Sequence, residues 1–375
     1  MTVETHLELL PAAEAEALRG IVARLRAAPE RVPSAALAGR VLAAVDAERA
    51  RGARQIRPPA PWWGFAAAAA VILCASLGVV FLGRMAGGAG GSGAEAEGVA
   101  WLAASQEADG TWDPVRHGGA GAYRPALTAL AALALAREPG AHAVQVGAAC
   151  RALARCQQAD GSFGGEDRAG LYNHAITTFA LASLYAGQPE LQPVLERAVA
   201  FIRRRQTAAG GWDYEAGSEG NAAVGAWQVR ALACAAEKGF AEADVPLKKG
   251  LRWLRGTARE DGSVAYHRGS PGSSESVNAL AAYALITSGK AYPELSEAGR
   301  FVAGRLRAAA EGTAGADCYR DYAKVLAFEA AGAEGPAESV RRQMAAGRGR
   351  AATQDQWGSV GGKLYTTALT ALAAK

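Results

Sequence analysis

A glycine–aromatic signature returns along this chain about every fifty residues, and that period constrains the fold more than any other feature. The copies are Gln106–Trp112 (QEADGTW), Gln157–Phe163 (QQADGSF) and Gln206–Trp212 (QTAAGGW), with a weaker Ala258–Val264 (AREDGSV). Their glycines stand at 110, 161, 210 and 262, so the steps are 51, 49 and 52. A fixed step of this size means that one supersecondary unit is repeated and stacked, each copy burying its apolar face on its neighbours.

Each signature follows one helical stretch, and a Gly- and Tyr-rich loop leads into a second. The second stretches share a pattern: Tyr123–Ala131 (YRPALTALA), Tyr172–Ala180 (YNHAITTFA) and Tyr365–Ala373 (YTTALTALA). Others start near Asn221, Ser274 and Cys318, which makes six helix pairs within residues 98–375. Apolar residues three and four apart give each helix a packing stripe. Alanine and glycine dominate and aromatics are only 7%, which suits helices that approach closely. Six such hairpins can close into a ring, second helices inside and first helices outside, around an apolar interior.

Ahead of the repeats the chain divides into a helical segment (1–60), a membrane span (61–84) and a Gly-rich linker (85–97), leaving 98–375 for the ring. Trp62–Gly83 runs 22 residues without a charge. At the helical rise that is roughly 33 Å, enough to cross a bilayer, with tryptophans where interfacial aromatics belong. Arg49, Arg51, Arg54 and Arg57 precede the span, and after Arg84 no basic residue occurs until Arg116. The positive-inside rule therefore predicts a single-pass inner-membrane protein, N-terminus in the cytoplasm and ring domain in the periplasm. The net charge of +4 comes partly from those arginines, so nucleic acid is not an expected partner. Five cysteines without a CxxC spacing read as buried free thiols.

The residues also carry a family resemblance. Gly98–Leu102 (GVAWL) with Gln106, Gly110 and Trp112 resembles the QW motif of squalene and terpenoid cyclases. Lys249–Leu254 (KGLRWL) is similar to its first half, and Ala198–Trp212 matches through Phe201, Gln206 and Trp212. The resemblance implies an all-α (α/α)6 toroid, the superfamily that includes protein prenyltransferase β subunits. It implies a structural role for Trp101, Gln106, Gly110, Trp112, Gln157, Gly161, Phe163, Gln206, Gly210, Trp212 and Gly262, with Gln and Trp stacked between neighbouring outer helices. The residue types agree: glycine permits a left-handed helix end and the aromatic staples the turn. Leu25–Arg49 resembles the stretch before the span of bacterial membrane-anchored anti-sigma factors, although that family's zinc-binding His and Cys cluster is missing.

Ring closure would gather the inner-helix N-termini at one mouth, where free N–H groups favour a polar or anionic ligand head. Tyr172, Asn173, His174, Glu275, Asp317, Cys318, Tyr319, Asp321 and Tyr365 are the candidate cavity residues. The segment from His174 to Phe179 is similar to the one that carries a diphosphate-binding histidine in prenyltransferases. A histidine hydrogen-bonded at a helix start is the alternative. Asp317-Cys318-Tyr319 resembles the prenyltransferase zinc motif, but Asp and Cys are adjacent, the preceding basic residues are missing and the third ligand falls on Thr366. A catalytic zinc needs at least three protein ligands, so no cofactor is expected, zinc included.

The Asp-rich cyclase motif and DDxxD are absent, and Asp317 with Asp321 is a weak substitute. No GxSxG or P-loop context is evident. Asp109 and Asp160 read as turn caps. The expectation is a membrane-displayed ring that binds an isoprenoid-like lipid, a peptide or a protein partner without the family's usual catalysis. The alternatives are a cyclase or prenyl-transfer enzyme with a non-standard site, a polysaccharide-acting toroid enzyme, and a transmembrane regulator.

Overall fold

The computed structural model describes residues 93–164, 168–186, 188–214, 218–290, 292–309, 317–354 and 358–374. The expected span, the segment before it and most of the linker lie outside these residues. No helix among the described residues is long and apolar enough to cross a membrane.

Twelve α-helices form six consecutive pairs among the described residues. The outer helices are α1 (Gly93–Ala104), α3 (Ala143–Arg155), α5 (Gln192–Arg205), α7 (Asp244–Arg255), α9 (Pro293–Ala309) and α11 (Glu334–Gln354). The inner helices are α2 (Arg124–Leu135), α4 (Arg168–Ser183), α6 (Ala222–Glu237), α8 (Glu275–Ser288), α10 (Cys318–Ala330) and α12 (Gly358–Ala373). Each inner helix packs on the next, and α12 returns to pack on α2 and α1, so the ring closes. Helix α1 begins at Gly93, inside the expected linker, because the alternating Ala and Glu of residues 94–97 are good helix formers.

The inner helices are Ala- and Leu-rich and buried on every face. Every residue from Ala126 to Leu135 is buried, as is every residue from Ala222 to Ala235. Outer helices are two-faced: α7 buries Pro246, Gly250, Leu251, Trp253 and Leu254 and turns its Lys and Arg outward. Three inner helices are capped by their own starting residues, Asn221 on the Ala223 N–H, Ser274 on the Val277 N–H and Asp317 on the Arg320 N–H.

The repeated signature is a stitch between repeats. Gln106 Nε2 donates to the Gly110 carbonyl (3.0 Å) and to Gln145 O on the next outer helix (2.9 Å). Gln157 does the same with Gly161 O and Val194 O, and Gln206 with Gly210 O and Pro246 O. The indole N–H of Trp112 donates to Leu102 O and that of Trp212 to Ile202 O, both at 2.8 Å. Glycine is needed twice over: Gly161 has φ +87°, and a Cβ there would sit 2.5 Å from the Arg197 carbonyl oxygen of α5. The weak fourth copy has Ala258 where the others have Gln, and Arg305 of α9 donates to the Asp261 carbonyl (2.7 Å). Asp109 and Asp160 accept the N–H two residues on, as turn caps do.

Candidate binding site at the mouth of the ring

The inner-helix N-termini lie at one end, with the described parts of the loops that lead into them. Two groups of side chains meet there. The first is aromatic. Tyr172 at the start of α4 shares a hydrogen bond between hydroxyls with Tyr214, and their ring centroids lie 5.7 Å apart. Tyr319 of α10 is fully buried, within electrostatic range of Tyr172 and Tyr266 and beside the Trp227 indole. Burial pushes the Tyr172, Tyr214 and Tyr319 hydroxyls well above the usual tyrosine range, so all three stay protonated donors.

The second group is charged. Glu275 accepts from Lys324 Nζ at 2.9 Å and faces Arg320 Nε at 3.6 Å. Arg320 also binds Asp321 at 2.8 Å. Desolvation raises the Asp321 carboxyl to about 6, although Arg320 pulls it down. Asp317 holds the Arg320 backbone N–H at 2.8 Å. In the loops, Asp213 accepts from the Tyr214 N–H (2.7 Å) and the Ser218 hydroxyl (2.5 Å). His267 Nδ1 lies 2.9 Å from Gly220 O and 3.3 Å from Asp213. A carbonyl can only accept, so Nδ1 carries the proton. Burial raises the Asp213 carboxyl, but the His267 and Ser218 hydrogen bonds outweigh it and leave it below the ordinary range.

Of the nine candidate residues, Tyr172, Tyr319, Glu275, Asp317 and Asp321 come together in these two groups. His174 does not join them. It is fully buried, its Nδ1 accepting from the Phe163 N–H (3.2 Å) and its Nε2 meeting Ala198 O (3.1 Å), between the rings of Phe163 and Phe201. It therefore joins its own signature to the next outer helix. Thr128 and Asn278 accept from Trp112 N and Val264 N in the same way, so His174 is the repeat's variant of a structural acceptor. Desolvation lowers it to about 3, which keeps it neutral.

Asn173 is also structural. It donates to Ala122 O (2.7 Å) and accepts from Ala126 N, tying α4 to the loop before α2 and to the first turn of α2. Cys318 and Tyr365 are buried. Sequence reasoning missed Asp213, Tyr214, Tyr266, His267 and Lys324. The first four stand in the loops that lead into inner helices α6 and α8, so loop position was the available signal.

The interior departs from expectation. An apolar chamber was expected behind the mouth, yet the inner-helix side chains that would wall it are closed to solvent. Tyr172, Phe179, Trp227, Tyr319, Tyr322, Phe328 and Tyr365 are all under 2% exposed, as are most of the alanines and leucines around them. Close helix approach, which alanine permits, leaves these described side chains little access to solvent.

The residues of the zinc-like motif are engaged within the chain. Asp317 is committed as a helix cap and Thr366 bonds to Lys363 O. No group of three or more His, Cys, Asp or Glu among the described residues is arranged to hold a metal ion.

A family model described as the prenyltransferase alpha-alpha toroid domain matches residues 94–240 and 173–304. The match begins after the anti-sigma-like stretch and lends that resemblance nothing. No curated protein matches the chain. Among solved structures it is similar to the GH76A alpha-1,6-mannanase from Salegentibacter sp. HEL1_6, with a TM-score of 0.55, 13% identity, and 75% of this chain and 97% of that chain covered. At that identity the likeness shows a shared fold.

Proposed function

We propose that this chain, which belongs to the prenyltransferase alpha-alpha toroid domain family, uses the mouth of its ring to bind a peptide segment and performs no prenyl transfer or cyclisation. The observation that carries this reading is the pairing of inner-helix side chains closed to solvent with mixed charges near the inner-helix starts. Glu275 pairs with Arg320 and with the buried Lys324, and Asp321 pairs with Arg320, next along α10 from Tyr319, which lies within range of Tyr172. An isoprenoid tail would need the inner helices to part. A peptide backbone presents donors and acceptors together, which suits a rim with both signs of charge and neutral hydroxyls. The ring is held at the membrane by Trp62–Gly83 with its mouth on the periplasmic side, a reading that rests on the uncharged run and the arginines before it.

Photocrosslinking from position 266 in membranes, followed by mass spectrometry, tests the peptide reading. Recovered peptide adducts support it, and recovery of lipid alone refutes it. Turnover of squalene or of prenyl diphosphates would also defeat it. Protease digestion of spheroplasts tests the orientation, because a protected ring domain would reverse it.

One observation favours a second reading, a polysaccharide-acting enzyme. Asp321 is a carboxyl raised to about 6, as a general acid for glycoside hydrolysis requires, on a fold shared with a mannanase. Release of reducing ends from an alpha-1,6-mannan, lost in Asp321→Asn, would establish that reading in place of the first.

A further inference from the structure

At the other end of the ring, α6 carries a buried cation that has no anion among the described residues. Arg230 is 3% exposed. Its guanidinium carbon lies 5.2 Å from the Phe179 ring centroid on α4 and 4.8 Å from that of Tyr283 on α8. Its hydrogen bonds come from Nη1 alone, to the Thr287 hydroxyl at 3.0 Å and the Ser288 hydroxyl at 3.5 Å. Nε is buried with no hydrogen-bond partner. No carboxylate pairs with this guanidinium among the described residues.

The charged and titratable neighbours do not fill the gap. Cys234, one turn further along α6, senses Arg230, but burial raises its thiol, so it stays neutral. Glu237 and Lys238 beyond it are of opposite sign and act on that thiol in opposite directions. The rings and the C-terminal turn of α8 offer partial negative charge only. A buried charge left unpaired costs several kcal/mol, and proteins accept that cost where something else completes the pair. Arginine's planar fork suits an oxyanion, which it meets with two N–H groups at once. Ser288 is partly exposed and connects the guanidinium with the surface.

We infer that Arg230, with the Thr287 and Ser288 hydroxyls, forms a binding site for a small oxyanion of the phosphate class. It enters past Ser288 at the C-terminal end of the inner helices. The site is separate from the mouth, and its failure would leave the mouth untouched.

The test is thermal unfolding of the detergent-solubilised full chain, titrated with inorganic phosphate at constant ionic strength. Wild type should gain about 5 °C when phosphate exceeds its dissociation constant about a hundredfold. Arg230→Met, which keeps the length and loses the charge, should show no phosphate-dependent gain, and Arg230→Lys a reduced one. A second arm substitutes short-chain phosphatidic acid. Stronger binding of the lipid assigns the site to a headgroup and stronger binding of phosphate to the free anion, and either outcome supports it. A wild-type midpoint indifferent to both ligands overturns the site, as does an equal response in Arg230→Met. Should that variant not fold, the wild-type titration decides alone.

Discussion

Arg137, in the turn after α2, donates from Nη1 to the Ala371 carbonyl oxygen at 2.6 Å, joining the first helix pair to the last. The same guanidinium reaches Leu372 O and Ala374 O, and Arg341 Nε reaches Ala373 O at 2.7 Å. The final carbonyls of a helix have no partner within it. Here two arginines supply them, and the ring is fastened where its ends meet.

Arg137→Ala should therefore destabilise the ring domain by about 3 kcal/mol, since charge-assisted bonds are lost and carbonyls are left without them. Chemical denaturation measures the loss, and hydrogen exchange should show α12 opening before the other inner helices. An unchanged midpoint would mean that helix packing alone closes the ring.

Two glycines separate backbone strain from close approach. Gly161 and Gly140 have φ of +87° and +83°, but a Cβ on Gly161 meets Arg197 O at 2.5 Å and one on Gly140 meets nothing within 4 Å. Gly140→Ala should cost about 1 kcal/mol from φ alone, and Gly161→Ala about 3 kcal/mol because α5 must also move. Equal costs would show that the signature glycine serves only its turn.

His174 makes the fold sensitive to acid. Burial holds it near 3, against an ordinary value of 6.5. Between those values the unfolded chain binds a proton that the folded chain refuses. The stabilisation is complete above the ordinary value and is lost as pH falls from there toward about 3, by up to about 1.4 kcal/mol per pH unit. His174→Asn, which keeps an acceptor for Phe163 N as Asn278 does for Val264 N, should fold and lose that slope. An unaltered slope in urea melts at several pH values would assign the acid sensitivity elsewhere.

Asp321 should titrate near 6 in a carbon-detected NMR pH series, while Asp109 and Asp160 titrate below the ordinary carboxylate range. Arg320 lowers Asp321 by charge and by hydrogen bond, so Arg320→Met should move its midpoint upward. A downward movement would show that burial of Asp321 depends on the arginine it pairs with.

Much of this molecule is legible in the residues taken alone. The recurring Gln, Gly and aromatic announce a repeated helix pair because the turn they make is local: Gln158 N meets Ser162 O at 2.9 Å, and Asp160 caps the N–H two residues on. Such interactions span a few residues, so their pattern is written in order along the chain. The starts of α6, α8 and α10 are readable for the same reason, since Asn221, Ser274 and Asp317 cap the helices they begin. What lies between helices is written nowhere in that order. His174 resembles a ligand-binding residue until Ala198 and Phe201 of the following helix are seen beside it. The inner-helix side chains are closed to solvent because alanines let the helices approach together, and among the described residues Arg230 has no anion because none of its neighbours on α4 and α8 brings one. Those outcomes depend on which side chains meet across some fifty residues of intervening chain, as Gln228 meets Leu171 O and Arg230 meets Thr287. Only closure of the ring decides that.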